Sequence, residues 1–280
     1  MGFLRMLLYI SLITNSFSLQ NRVYKTSKLP QTDLKVISAQ QTAMVSKHWF
    51  NKIMTDFFEK QQKDSENEKI SKYPAVFVAG PMTSVKEQVT GVYAKAISER
   101  GFVTLAIDHR YFGESEGEPR QYEKFHDKIL DIKNALNFLK KRPEVDESFV
   151  SLVGVCLGAG YVLATASQTL GIYRLAAVAG YYRDIDEMKK KNANDFDNKI
   201  VTGINARKDY ELTGKILNIP AASIAEEAAM QTRDTVDYYT KRAAVKNYVN
   251  SFAVMSKEFF TKFDVQIYSD KILLTYLNQK

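Results

Sequence analysis

Between residues 73 and 180 short apolar runs alternate with stretches in which apolar side chains recur at helical spacing. Ala75–Val78, after Pro74 and before Gly80-Pro81, predicts a buried strand stopped by a turn. Val89, Val92, Tyr93, Ala96 and Ile97 then share one helical face, and Gly101 stands where a C-terminal cap glycine belongs. Val103–Ile107 predicts the second strand, and after the Gly- and Glu-rich loop Asp108–Arg120 a second helix buries Phe125, Ile129, Ile132, Leu136 and Leu139. Pro143 closes that helix. Phe149–Val155 is a third strand, joined directly to a small-residue helix over Leu157–Leu170, and Leu175–Ala179 is a fourth. Strands alternating with helices of this length predict an α/β fold, a mostly parallel sheet covered by helices on both faces over 73–180.

Beyond Gly180 the pattern turns polar and helical, with helices expected over Ala221–Thr240 and Asn250–Phe263, so 181–264 reads as a helical cap. Within 265–280, Ile272–Leu277 fits one last strand, leaving the sheet incomplete. At the other end Met1–Arg5 is a positive start, Met6–Ile13 an apolar run too short to span a bilayer, and Thr14–Ser18 a polar stretch with small residues. Residues 1–18 thus read as a signal peptide cut before Leu19, which predicts a secreted or periplasmic protein without a stable membrane span; the alternative is an N-terminal helix. Residues 19–72 carry little pattern and end in the charged run Glu59–Lys72, a surface loop.

Composition excludes several function classes. With 280 residues, 45% apolar and 25% charged, the chain is globular and not disordered. Its formal charge of +7 is spread out, the one tight cluster being Lys189–Lys191, which reads as a solvated face. No zinc-finger spacing, recognition helix or aromatic-basic array accompanies the charge, so no nucleic-acid partner is expected. No metal-ligand spacing or dinucleotide fingerprint occurs, so no metal and no cofactor are expected. A single cysteine allows no intramolecular disulfide.

That cysteine stands in the motif Gly154-Val155-Cys156-Leu157-Gly158, between a predicted strand and a helix of small residues. A nucleophile elbow needs this arrangement, because the turn is so tight that its flanks tolerate only small side chains and the nucleophile is lifted clear of the sheet. The bland alternative is a buried apolar cysteine ending a core strand. A thiol suits the elbow because the thiolate is its reactive form, and the positive end of the helix starting at Leu157 is expected to favour it. The Leu157 N–H is the first expected oxyanion donor. The second belongs to the loop after Ala75–Val78, where Pro81 has no N–H and Met82 is the expected donor.

Gly80-Pro81-Met82-Thr83-Ser84-Val85-Lys86-Glu87-Gln88, Glu99-Arg100-Gly101-Phe102-Val103, Asp108-His109-Arg110-Tyr111-Phe112-Gly113-Glu114-Ser115 and the elbow at Cys156 together resemble the α/β-hydrolase superfamily. The likeness is to bacterial dienelactone-hydrolase-like enzymes and related fungal acyl-transferring hydrolases, and covers residues 73–184. The resemblance implies hydrolysis or transfer of an acyl group from a small ester, thioester or lactone through an acyl-enzyme on Cys156. The alternative is a catalytically impaired homologue that keeps the fold and serves as a binding or interaction protein.

The pattern breaks at the base. The three histidines are His48, before the recognisable domain, His109, after the second strand, and His126, at a helix start. None follows a last strand, where the base of such enzymes normally lies. His109 is the candidate substitute base, with an ordinary loop residue as the alternative, and Asp184 is the candidate relocated carboxylate, with a loop cap as the alternative. Tyr181, Tyr182, Tyr238 and Tyr239 are expected either to line an amphipathic pocket or to pack with a wet edge.

Overall fold

The computed structural model describes residues 72–277, so the expected signal peptide over 1–18, the segment 19–71 and His48 lie outside the described residues. The sheet is built from β1 (Tyr73–Ala79), β2 (Val103–Ala106), β3 (Val145–Val155) and β4 (Leu175–Val178). All neighbours are parallel, in the order β2-β1-β3-β4. Between them run α1 (Val89–Ser98), α2 (Phe125–Lys140) and α3 (Leu157–Ala166).

The alternation within β1 shows why its sequence is an unbroken apolar run. Ala75, Phe77 and Ala79 enter one cluster with the α2 residues Ile129, Ile132, Leu136 and Leu139 and the α3 residues Tyr161 and Val162. Val76 and Val78 enter another, on the opposite face, with Ala94 of α1 and Ala106 of β2. A strand whose side chains alternate between two covered faces has no place for a polar residue. All five α2 residues expected in the core are buried, each contributing about 1.5–3 kcal/mol by leaving water. Val92, expected on the inner face of α1, instead lies outward, 64% exposed.

The order β2-β1-β3-β4 places a topological switch between β1 and β3. The chain leaves β1 toward β2 on one side, then returns to add β3 and β4 on the other. In open parallel sheets the crevice at such a switch, outside the carboxyl ends of the strands, is where ligands bind. The loops leaving β1 and β3 are those of Met82 and Cys156.

After β4 the structure departs from the sequence reading. The dominant helix is α4 (Ile185–Thr213), kinked at Asn192, and not a helix over Ala221–Thr240. Only Phe196, Gly203 and Ala206 of α4 are buried, and pairs such as Lys199–Asp195 and Arg207–Glu211 lace its outer side, so no apolar stripe announced it. Residues 221–232 are irregular because their amides are used elsewhere: Ala222 N donates to Asn250 Oδ1 and Met230 N to Ala221 O. A two-residue antiparallel pair, β5 (Asn218–Ile219) with β6 (Phe252–Ala253), the short helices α5 (Arg233–Asp237) and α6 (Ser256–Lys262), and one π-helical turn over Tyr238–Arg242 complete 181–264. That segment is thus mixed and not purely helical.

Ile272–Leu277 is no strand. It ends helix α7 (Gln266–Leu277), whose first turn is fixed by Asp264 Oδ1 accepting from Gln266 N at 2.9 Å. A short apolar run does not by itself distinguish strand from helix, and here the turn ahead of it decides. Among the described residues no helix is long and apolar enough to cross a membrane.

Candidate active site at the sheet's switch point

Cys156 has φ 56° and ψ −120°, a backbone conformation that costs a residue with a β-carbon about 1–3 kcal/mol. It persists because its own peptide groups are held from both sides. Cys156 N donates to Val178 O of β4 at 3.0 Å, while its carbonyl accepts from Ala159 N at 3.1 Å and Tyr181 N at 3.0 Å. The small flanks are compulsory. A β-carbon on Gly158 would stand 2.5 Å from the carbonyl oxygens of both Ala79 and Gly80, and one on Gly154 would strike the Gly158 carbonyl. The start of α3 is therefore pressed against the end of β1, and Cys156, partly exposed, stands at that junction.

The helix start does not win the contest for the thiol's proton. Burial pushes the Cys156 thiol up, the Leu157 N–H facing the sulfur works against this, and the nearby Glu123 carboxylate adds to the rise. The net direction is upward, opposite to the expectation drawn from the helix dipole. At neutral pH the resting form of the Cys156 side chain is the thiol.

The turn after β1 carries Met82 and Thr83, both buried. Among the described residues neither Met82 N nor Leu157 N donates to a protein oxygen. Thr83 has φ 58°, the left-handed region, and its peptide link to Met82 is hydrogen-bonded at both ends. Thr83 N donates to Glu123 Oε2 at 3.0 Å, and the Met82 carbonyl accepts from Tyr239 Oη at 2.8 Å. The ring of Tyr239 stacks on Tyr248 with centroids 5.0 Å apart and meets Tyr238 edge-on, and Tyr238 Oη accepts from Val89 N. Of the tyrosines expected near a pocket, Tyr239 is buried in this way. Tyr181 is half exposed, and Tyr182 packs on the main core.

Behind the turn lies a buried polar network that sequence reasoning missed. Glu123 Oε1 accepts from Tyr161 Oη at 2.6 Å and pairs with Lys128 Nζ at 2.6 Å. Lys128 also lies over the Phe112 ring, 4.4 Å from its centroid. Burial and the Glu123 charge push the Tyr161 phenol well up, so it remains a donor. One signal was present: Lys128 stands three residues after Phe125 and four before Ile132, on the apolar stripe of α2, where an unpaired charge is not tolerated. A second network ties this turn to the loop after β2. Wholly buried Lys86 donates from its amide to Asp108 Oδ1 (2.7 Å) and from Nζ to Asp108 Oδ2 (2.9 Å) and Glu114 Oε2 (2.5 Å). Burial works to lower the Lys86 pKa, but the two carboxylates outweigh it and hold it above its ordinary value.

The structure brings neither described histidine to the sulfur. His109 follows β2, and with β1 between β2 and β3 the two strand ends are roughly 10 Å apart. Its Nδ1 faces Asp131 Oδ2 at 3.3 Å, and Asp131 is gripped as well by Arg110 through Nε at 2.8 Å and a second guanidinium nitrogen at 2.6 Å. Burial works to raise the Asp131 pKa, but His109 and Arg110 hold it below the usual carboxylate range. His109 orders its own loop. His126 lies against the rings of Phe125 and Phe259. Asp184 accepts from Glu187 N at 2.9 Å as the N-cap of α4, the loop-cap alternative and not a catalytic acid. Among the described residues no group of three or more metal-ligating side chains is arranged to hold an ion.

Residues 61–249 match the dienelactone hydrolase family, more than half of the chain. The chain belongs to that family. Among the relatives of this dienelactone-hydrolase-family chain is YcjY of Escherichia coli strain K12, itself uncharacterized, 34% identical over 179 residues that cover 61% of this chain and 58% of YcjY. The polyketide transferase GrgF of Penicillium sp. is 29% identical over 106 residues, 38% of this chain and 36% of GrgF. The chain thus matches 58% or less of the length of these relatives. Its fold is shared with the crystal structure of the α/β hydrolase GrgF, at TM-score 0.59 and 19% identity over 73% of this chain and 70% of that one. It is shared also with PA2218 of Pseudomonas aeruginosa, at TM-score 0.61 and 24% identity over 74% and 67% of the two chains. The fold is that of the α/β hydrolases.

Proposed function

We propose that this protein is a hydrolase or acyl transferase acting on a small ester, thioester or lactone through an acyl-enzyme on Cys156. The reading is supported above all by the strained backbone at Cys156, between two glycines that admit no side chain, at the switch point of a parallel sheet. In the reaction the thiol gives its proton to solvent water and the sulfur attacks the carbonyl carbon. The carbonyl π pair moves to oxygen, where the Leu157 and Met82 N–H groups, neither of which donates to a protein oxygen among the described residues, are the proposed oxyanion donors. Collapse of the tetrahedral intermediate expels the alcohol or thiol, which takes up a proton, and water or a second nucleophile then removes the acyl group from sulfur. The name of GrgF, a polyketide transferase, is consistent with group transfer by this fold.

A second reading, a catalytically impaired homologue that binds ligands or partners without turning them over, is favoured by the raised thiol pKa and by the partners of His109 and His126, neither of which is Cys156. One experiment separates the two. An electrophilic thioester probe incubated with the intact protein is expected to acylate Cys156, detected by peptide mass spectrometry, and to leave a Cys156→Ala variant unlabelled. Equal incorporation in both proteins would end the first reading.

A further inference from the structure

The Met82–Thr83 peptide is held at both of its polar ends by side chains far away in the chain. Its carbonyl accepts from Tyr239 Oη at 2.8 Å, 157 residues distant, and its N–H donates to Glu123 Oε2 at 3.0 Å, 40 residues distant. Both side chains are buried, at 3% and 1% exposure. Burial pushes the Tyr239 phenol well above its usual pKa, so it is a permanent donor. On the other side of Met82 stands Pro81, whose ring fixes its own φ. The single N–H left between these restraints is that of Met82, which has no protein acceptor among the described residues. A pinned peptide following it, entered through the left-handed φ of 58° at Thr83, is a conformation that the turn alone does not favour.

We infer that Tyr239 is a positioning residue for the oxyanion site, clamping the Met82–Thr83 peptide against Glu123 so that the Met82 N–H is presented before substrate binds. The inference rests on the acyl-transfer reading above. Tyr239 belongs to the π-helical turn in the 181–264 segment, so that segment supplies the pin that sets a donor in the sheet's own loop. Oxyanion donors are effective when fixed before charge develops, and removing one outright costs about 10²–10³ in rate. Releasing one from its clamp without removing it is expected to cost roughly 10- to 100-fold.

The test uses an alkyl trifluoromethyl ketone, to which the Cys156 thiolate adds: a C–S bond forms and the carbonyl π pair becomes an oxyanion, with no leaving group to protonate. Binding is read as protection of Cys156 from iodoacetamide, whose alkylation generates no oxyanion. In Tyr239→Phe the ketone concentration needed for protection is expected to rise roughly 10- to 100-fold while alkylation without ketone is unchanged. Tyr238→Phe, which alters the edge-on neighbour of Tyr239 and a hydrogen bond to Val89 N outside the clamp, is expected to behave as the unaltered protein. Equal protection in Tyr239→Phe and the unaltered protein would overturn the positioning role and leave the acyl-transfer reading standing. Slower bare alkylation in Tyr239→Phe, or the same weakening in Tyr238→Phe, would overturn it in favour of simple packing. No protection of the unaltered protein would instead remove the acyl-transfer reading, and the clamp's role with it.

Discussion

At Cys156 three influences compete, and their order decides how the thiol behaves. Burial and the Glu123 carboxylate favour the neutral form, the Leu157 N–H favours the thiolate, and the first two prevail. The sign for pH dependence follows: below its pKa the reactive thiolate fraction grows tenfold per pH unit, and a raised pKa moves the whole curve to the alkaline side. Iodoacetamide alkylation of Cys156 is therefore expected to have its midpoint above that of free cysteine, about 8.5, with no plateau near neutrality. A midpoint below the free thiol's would mean that a cation or imidazole acts on the sulfur and would refute this balance. The motif around Cys156 was legible in the sequence because every part of it is local: two glycines, a strand before and a helix after. Glu123 and Tyr239 were not legible as its surroundings, since hydrogen bonds that join residues 40 and 157 positions apart leave no periodic trace.

At the level of elements the close approach of α3 to β1 sets the tolerance of the site. Gly158 faces two backbone carbonyls at 2.5 Å from where a β-carbon would sit, and backbone does not swing aside as a long side chain does. Gly158→Ala is expected to push the start of α3 away from Ala79 and Gly80, destabilising the protein by about 1–3 kcal/mol in a denaturant melt and suppressing thioester labelling of Cys156. An unchanged melt with unchanged labelling would show that the helix start has room to spare. Elements with a buried face, β1 to β3 and α1 to α3, were readable from their apolar patterns, as was β4, all four residues of which are only partly buried. Helix α4, which buries only three residues, was not, and the segment 221–232, rich in alanine, was misread as helix because tertiary hydrogen bonds override its propensity.

In the molecule as a whole the loops leaving β1, β2 and β3 meet at one edge of the sheet, and buried ion pairs fix how they meet. Lys86 joins the first loop to the second through Asp108 and Glu114, and Lys128 joins α2 to Glu123. Removing one member of such a pair leaves an uncompensated buried charge, so Lys86→Met is expected to cost about 3–5 kcal/mol by chemical denaturation at neutral pH. A loss below about 1 kcal/mol would mean that the pair behaves as a surface contact. Because the folded pKa of Lys86 is raised, its contribution is complete below the pKa of a free lysine, about 10.4, and is lost only as pH climbs through the folded value.

The chain holds one cysteine, and it stands partly exposed where β3 ends. A maleimide fluorophore or spin label therefore attaches at a single address without mutagenesis. Its emission or mobility then reports directly on what enters the crevice, whichever compound that proves to be.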